Sequence, residues 1–337
     1  MSKKERILEF GFILLLTILF CIPLYQGSIY TGADIGFHIS RIKSISDGLR
    51  SHIFPVYVYP YINNGFGYGS PMFYCDLFLI PSALLYMLGV PIIIVWKITL
   101  FIYAFIACAM IYHLSKVVFK TKSIQIFCTI IYMFSNVRIN YYYYGGGLGN
   151  IIALSFLPLF FLALYKMFVL KEDCFELLGT SFALLLLSHL LTFTISVIFF
   201  VLLLIVDIKN ISKERIFCMI KAALLAIALS AWFLFPCIEQ LLSQEFWSSF
   251  LNDATNLGYF KESQRPISQV FSDYILNASP NQQYLGIIYS VGGILCYLMY
   301  KIKNKFKKNR LVDVKALVLV GGYFLKPIYF HYIKYQF

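Results

Sequence analysis

Charge is what this sequence has least of. Only 13% of its 337 residues are charged, against about 25% in ordinary soluble domains. Acids are the scarcer sign, with 16 Asp and Glu against 28 Lys and Arg. A water-soluble fold with a charged coat is therefore excluded. The net charge of +12 does not point to nucleic acid. Its basic residues sit in short clusters between apolar runs, as topology signals do, rather than in one polar patch. The eight cysteines form no CxxC pair, and His38, His52, His113, His189 and His331 are scattered. A zinc ribbon or a histidine metal cluster is excluded on spacing. There is no fixed-period repeat, no low-complexity tract and no polar stretch long enough for a soluble domain.

What is present is apolar and aromatic: 60% hydrophobic residues and 18% Phe, Trp and Tyr, with a mean hydropathy of +0.76. This composition predicts an all-α polytopic membrane protein. A span needs about 20 apolar residues. Nine stretches qualify: 8–26, 92–114, 123–139, 149–169, 175–189, 190–207, 216–236, 284–302 and 312–330. The stretch 74–89 is apolar but short, closed by Gly89 and Pro91. If it does not cross, Lys3/Lys4/Arg6, Lys116/Lys120/Lys122, Lys171, Lys209/Lys213/Arg215 and Lys301 to Arg310 all fall on one side. The positive-inside rule makes that side cytoplasmic. The expectation is a cytoplasmic N-terminus, a first outer loop 27–91 with a re-entrant or juxtamembrane helix, an outer loop 241–283, and further spans over 284–337.

The first outer loop holds the chemistry. Residues 34 to 50 fit a helix, with Ile35, Ile39, Ile42 and Leu49 on one face and Ser40, Lys43 and Asp47 opposite. Such an amphipathic helix suits the membrane interface. Asp34, His38 and Arg41 follow at i, i+4 and i+7, in a row along the border of the apolar face. A carboxylate, an imidazole and a guanidinium at the water–lipid boundary suit a substrate with an apolar tail and a phosphate head. The bland alternative is an interfacial helix whose Asp34 favours the helix dipole. Downstream, prolines and glycines alternate with Tyr57, Tyr59, Tyr61, Tyr68 and Tyr74. This run cannot be regular helix, and its aromatics suit either the interface or a sugar ring. Elsewhere, Lys97 lies near the outer end of its span, where it can meet a lipid phosphate or snorkel. Arg138 precedes four tyrosines and can pair with Asp34 or a phosphate; His189 sits at an outer turn; Glu239 follows Pro236 and either serves an acceptor or caps a helix end.

These residues carry a resemblance. Asp34-x-x-x-His38-x-x-Arg41, Gly48-Leu49, Phe54-Pro55, Gly65-Phe66-Gly67-Tyr68 and Phe73-Tyr74 resemble the first outer loop of bacterial GT-C-fold membrane glycosyltransferases. The branch most similar is the 6-pyruvoyl-tetrahydropterin-synthase-related membrane proteins, with YfhO-type proteins as neighbours. The similarity continues at Gly145 to Gly149, Ser188 to Thr192 and Trp232 to Pro236, and runs more loosely beyond about residue 240. The resemblance implies a GT-C-like conserved module over 1–240 and an active site on the outer face of a bacterial plasma membrane. It implies a polyprenyl-phosphate-linked sugar as donor, a cell-envelope acceptor, and inversion at the sugar. It makes Asp34 the general base, or the ligand of a divalent metal if one takes part. His38, Arg41, Lys97, Arg138, His189, Tyr68 and Glu239 are the expected substrate contacts. Where relatives often carry an acid this chain has Asn150, and where they carry an arginine it has glycine. Its closing Gln336-Phe337 resembles the start of a Gln-Phe-Pro-Trp-Arg element of longer relatives, so a C-terminally truncated chain is expected. The rival functions are a lipid or polysaccharide flippase and a degenerate, non-catalytic relative.

Overall fold

A computed structural model describes residues 2–26, 32, 34–60 and 62–243. The protein is an all-α polytopic membrane protein. Its helices are α1 (Lys3–Cys21), α2 (Ile35–Arg50), α3 (Ile80–Met87), α4 (Ile92–Val118), α5 (Lys122–Met133), α6 (Asn136–Asn140), α7 (Leu148–Leu164), α8 (Phe175–Ser188), α9 (Leu190–Asp207) and α10 (Lys213–Ser243). Among the described residues the one extended pairing is an isolated bridge between Tyr59 and Tyr68. Among the described residues five helices are long and apolar enough to cross a membrane: Lys3–Tyr25, Ile92–Val118, Leu148–Leu170, Leu190–Asn210 and Lys213–Ser243. The chain divides into Met1–Leu234 and Phe235–Phe337; of the second unit the described part is the end of α10.

Local chemistry explains where the helices start and bend. Ser2 and Glu5 form a reciprocal capping box that starts α1. α7 is the central helix, 72% buried along its most apolar stretch against 22% in α1, α9 and α10. It tolerates Pro158 in its interior. Proline removes the N–H that would serve the carbonyl four residues back, and here the Tyr132 hydroxyl donates to the Leu154 carbonyl instead. Inside a bilayer such a freed carbonyl needs a protein partner. Ser155 adds a second tie, donating to the Tyr103 carbonyl of α4 at 2.8 Å.

Two contacts fix the course of the first loop. The Lys97 ammonium donates to the Gln26 carbonyl at 2.6 Å. At the other end of the same two helices, Lys116 meets both carboxylate oxygens of Glu9 at 2.8 Å. α1 and α4 are therefore antiparallel, and the loop between them leaves and returns at one face. The helical part of the expected short segment runs Leu77–Met87. At 1.5 Å per residue it falls well short of a bilayer of about 30 Å. It packs on α4 through a Ser82–Thr99 hydroxyl contact at 2.7 Å and the Tyr103 hydroxyl on the Phe78 carbonyl at 2.8 Å.

Elsewhere the spans differ from the expected ones. The stretch 123–139 is not one helix. α5 stops at Met133, and α6 starts after Ser135 and runs into a π-helical turn, Tyr141–Gly145. Asn136, Arg138 and Asn140 sit in that break, where polar side chains compete with a continuous apolar helix. The stretch 175–207 does form two helices in a hairpin, turning at His189. The expected spans 284–302 and 312–330 lie outside the described residues.

Candidate functional site

α2 carries the site, and its N-terminus is tied to the turn before α7. The backbone N–H of Asp34 donates to the Gly145 carbonyl at 3.1 Å. Gly146 has φ +68° and lies against Ile35; a side chain there would be strained by its backbone and would strike Ile35. This is what the glycine run does: it lets the start of α2 approach the backbone of the turn. Gly149, in the first turn of α7, is met by the Tyr74 hydroxyl, which accepts its backbone N–H. A Cβ at Gly149 would collide with that hydroxyl and lie 3.0 Å from the Ser188 carbonyl.

The row Asp34, His38, Arg41 is not at a lipid border. His38 and Arg41 are buried, each 2% exposed, on the inward face of α2. The reason is Asp76. Its carboxylate takes Arg41 in an ion pair at 2.7 Å and accepts the Tyr59 hydroxyl at 2.5 Å. Arg41 also donates to the Cys75 carbonyl at 3.0 Å and to the Tyr74 carbonyl at 3.4 Å. Its guanidinium lies 4.0 Å from the centre of the Tyr74 ring. Burial, the largest influence, would lower the Arg41 pKa, but the Asp76 charge together with Tyr59 and Tyr74 outweighs it and holds the guanidinium firmly charged. Arg41 thus clamps α2 to the strand of chain before α3.

Tyr74 is the centre of the cluster. Its ring lies 6.1 Å from that of His38 and 6.2 Å from that of His189. Burial raises its hydroxyl pKa, Arg41 pulls the other way, and the Asp34 carboxylate adds to the rise. Burial pushes His38 well below the usual imidazole value, and the Arg41 and His189 charges push it further. His189 caps α9: its Nδ1 accepts the Thr192 backbone N–H at 3.3 Å and lies 2.9 Å from the Thr192 hydroxyl. That contact accounts for the spacing Ser-His-Leu-Leu-Thr.

Asp34 differs from all of these. It forms no side-chain cap on α2, and its carboxylate makes no hydrogen bond among the described residues. It keeps an exposed edge, yet the protein mass around the carboxyl raises its pKa.

The structure thus brings Asp34, His38, Arg41 and His189 together around Tyr74. Tyr68 joins at the rim, its ring 6.0 Å from Phe37. Lys97 stands at the same face of the bundle, at the end of α1. Arg138 is elsewhere, enclosed by Phe20, Tyr132 and Tyr142 rather than facing Asp34. Glu239 is exposed near the end of α10, in the second unit. The sequence reading missed Asp76. Its signal was a single acid inside the apolar run from Pro71 to Gly89, where an ionised group needs a partner.

The profile of the 6-pyruvoyl-tetrahydropterin synthase related domain, a membrane protein family, matches residues 72–333. The chain belongs to this family. The match opens two residues before Tyr74 and takes in Asp76, the Gly145–Gly149 turn and His189. α2, with Asp34, His38 and Arg41, precedes it. An uncharacterized protein of Lactococcus lactis subsp. cremoris (strain MG1363) is 30% identical over 298 residues, covering 81% of this chain and 47% of its own length. The chain therefore spans about half the length of that relative. No solved structure matches. The family name mentions a pterin synthase, whose chemistry needs a set of metal ligands. Among the described residues no three His, Cys, Asp or Glu side chains gather where a metal ion would sit.

Proposed function

We propose that this 6-pyruvoyl-tetrahydropterin-synthase-related membrane protein is a GT-C-type glycosyltransferase. It moves a sugar from a polyprenyl-phosphate donor to an extracytoplasmic acceptor. The observation that carries the reading is Asp34: a carboxylate with a raised pKa and no hydrogen-bonding partner among the described residues, at the edge of a cluster built on the Arg41–Asp76 pair. A base is most effective when its pKa lies nearer the working pH than an ordinary carboxylate's does.

Asp34 takes the proton of an acceptor hydroxyl. The acceptor oxygen attacks the anomeric carbon, and the polyprenyl phosphate leaves from the opposite face with the electrons of its C–O bond. The anomeric configuration inverts. Lys97, at the bundle boundary, meets the phosphate. Arg41 and Asp76 do not touch substrate in this scheme; they position α2. The described residues fit a metal-dependent step poorly, because Asp76 is occupied by Arg41 and Tyr59 and no other described carboxylate joins Asp34 in a metal-holding group. The clusters Lys3/Lys4/Arg6 and Lys116/Lys120/Lys122 at the opposite face support a cytoplasmic N-terminus and an outward-facing site.

The test is transfer of labelled sugar from polyprenyl-phosphate donors by the purified chain in nanodiscs. Asp34→Asn lowers the rate about 10²–10⁴-fold with helicity unchanged. The base must be ionised, so the native rate climbs as pH rises through the Asp34 pKa. That acid limb lies above the value of about 3.9 of an ordinary aspartate. Equal rates in the native and Asn proteins would end this assignment.

A further inference from the structure

The proton on His38 is fixed by its neighbour. The Arg41 Nη1 lies 3.2 Å from the His38 Nδ1. A guanidinium can only donate, so Nδ1 is the acceptor and carries no hydrogen. The charge of Arg41 and the burial of the ring keep the imidazole neutral. A neutral imidazole has one proton, which must then be on Nε2. Among the described residues that Nε2–H has no hydrogen-bonding partner, while its ring stands beside Tyr74 in the cluster that Asp34 borders.

We propose that His38 is a tautomer-locked, uncharged hydrogen-bond donor for a hydroxyl or ring oxygen of the sugar, and that Arg41 is the positioning residue that sets the lock. The ligand class follows from the local charges. Arg41 is neutralised by Asp76 at 2.7 Å. His38 and Tyr74 are neutral, Asp34 is the carboxylate of this cluster that no guanidinium compensates among the described residues, and His189, across the Tyr74 ring, is engaged with Thr192. A phosphate at this point would be repelled by Asp34 and would find the Arg41 guanidinium already taken by Asp76. A polyhydroxyl ring meets a fixed donor and a fixed acceptor. The sugar therefore sits over α2, and the phosphate lies away from it. For its ligand this inference rests on the glycosyltransfer reading; the tautomer does not.

Two measurements on the full chain separate the two. With ¹⁵N-labelled histidine, the His38 signals, assigned by their loss in His38→Gln, show Nε2 protonated and Nδ1 bare. They stay so between about pH 5 and 8, where an ordinary histidine changes charge. Arg41, Asp76, Tyr59, Tyr74, Asp34 and His189 are the titratable groups around it. A proton on Nδ1, or an imidazolium within that range, overturns the lock. The second measurement is binding of a polyprenyl-phosphate hexose against the bare polyprenyl phosphate. His38→Phe weakens the sugar-bearing lipid about threefold to tenfold, leaves the bare lipid unchanged, and His38→Gln, which restores an N–H, recovers most of the loss. Equal weakening of both lipids, or none, overturns the sugar contact. Failure of the native protein to bind either lipid overturns the glycosyltransfer reading, and the ligand assigned here with it, whatever the histidine signals show.

Discussion

Of the three arginines buried among the described residues, Arg41 and Arg138 are the most enclosed, and the protein treats them differently. Arg41 at the first loop has an ion pair to Asp76, a tyrosine hydroxyl, two backbone carbonyls, a histidine nitrogen and a ring face. Arg138, fully buried where α1, α5 and α6 meet, has three rings at 5.2–5.5 Å and one long contact to the Tyr142 hydroxyl at 3.4 Å. Its Nε and Nη1 have no partner among the described residues. A guanidinium held by a carboxylate and carbonyls has one geometry. One held by ring quadrupoles is attracted but not aimed. The first therefore orders a site, and the second fills a space. Variants that separate these two roles test the comparison.

The largest effect belongs to Asp76. Asp76→Ala leaves Arg41 buried with its charge uncompensated, and removing one partner of a buried pair costs about 3–5 kcal/mol. Arg41→Met strands Asp76 in the same way, less severely because Asp76 retains some exposure. Thermal or denaturant unfolding in detergent reads both. On the proposed function, sugar transfer falls with them, since α2 and Asp34 lose their anchor. The control is Glu172→Ala, which breaks the exposed Lys166 pair at 3.2 Å. A surface pair contributes about 1 kcal/mol or less. If Asp76→Ala is no worse than Glu172→Ala, the clamp is not what orders the loop.

The next effect is steric. Gly149→Ala places a methyl group against the Tyr74 hydroxyl and 3.0 Å from the Ser188 carbonyl. Overpacking of this kind costs about 1–3 kcal/mol. Because the displaced ring is the one that His38, His189 and Arg41 surround, binding of donor falls as well. Adding Tyr74→Phe removes the hydroxyl oxygen and recovers part of the stability. Without that recovery, Tyr74 is not the group that Gly149 accommodates.

Much of this was legible in the sequence, for physical reasons. Bilayer thickness sets span length, so the long helices could be placed by counting apolar residues. Periodicity placed α2 to within a residue, with Asp34 at its N-cap. Charge parity and shortness together argue against a crossing at 74–89, and the Lys97–Gln26 and Lys116–Glu9 contacts, which set α1 and α4 antiparallel, accord with that. What periodicity cannot carry is which polar groups meet across long stretches of chain. Arg41 was read as facing a lipid phosphate because Asp76, 35 residues away, gave no local sign of pointing at it. The same limit hid Tyr74, one tyrosine among many, until its hydroxyl was found on the Gly149 backbone. The break at Phe134–Ser135 was hidden for a different reason: apolar residues on both sides satisfy a hydropathy window without requiring one continuous helix.

The smallest expected effect is the one that most sharpens the contrast between the arginines. Arg138→Met keeps a long, flexible, apolar side chain among Phe20, Tyr132 and Tyr142. It loses ring contacts that contribute up to about 2 kcal/mol together and one long hydrogen bond. It also removes an ionised group from a buried place, where desolvation of a charge is penalised by several kcal/mol. These terms oppose each other, so unfolding in detergent shifts by about 1 kcal/mol or less in either direction, and Asp34-dependent transfer is unaffected. The paired comparison is Arg41→Met, which lies several kcal/mol lower. A loss at Arg138 as large as that at Arg41 would mean that an anion or a carboxylate holds the two nitrogens that have no partner among the described residues. The aromatic cage would then be the wall of a second polar site, and the distinction between an arginine that aims and one that fills would fail.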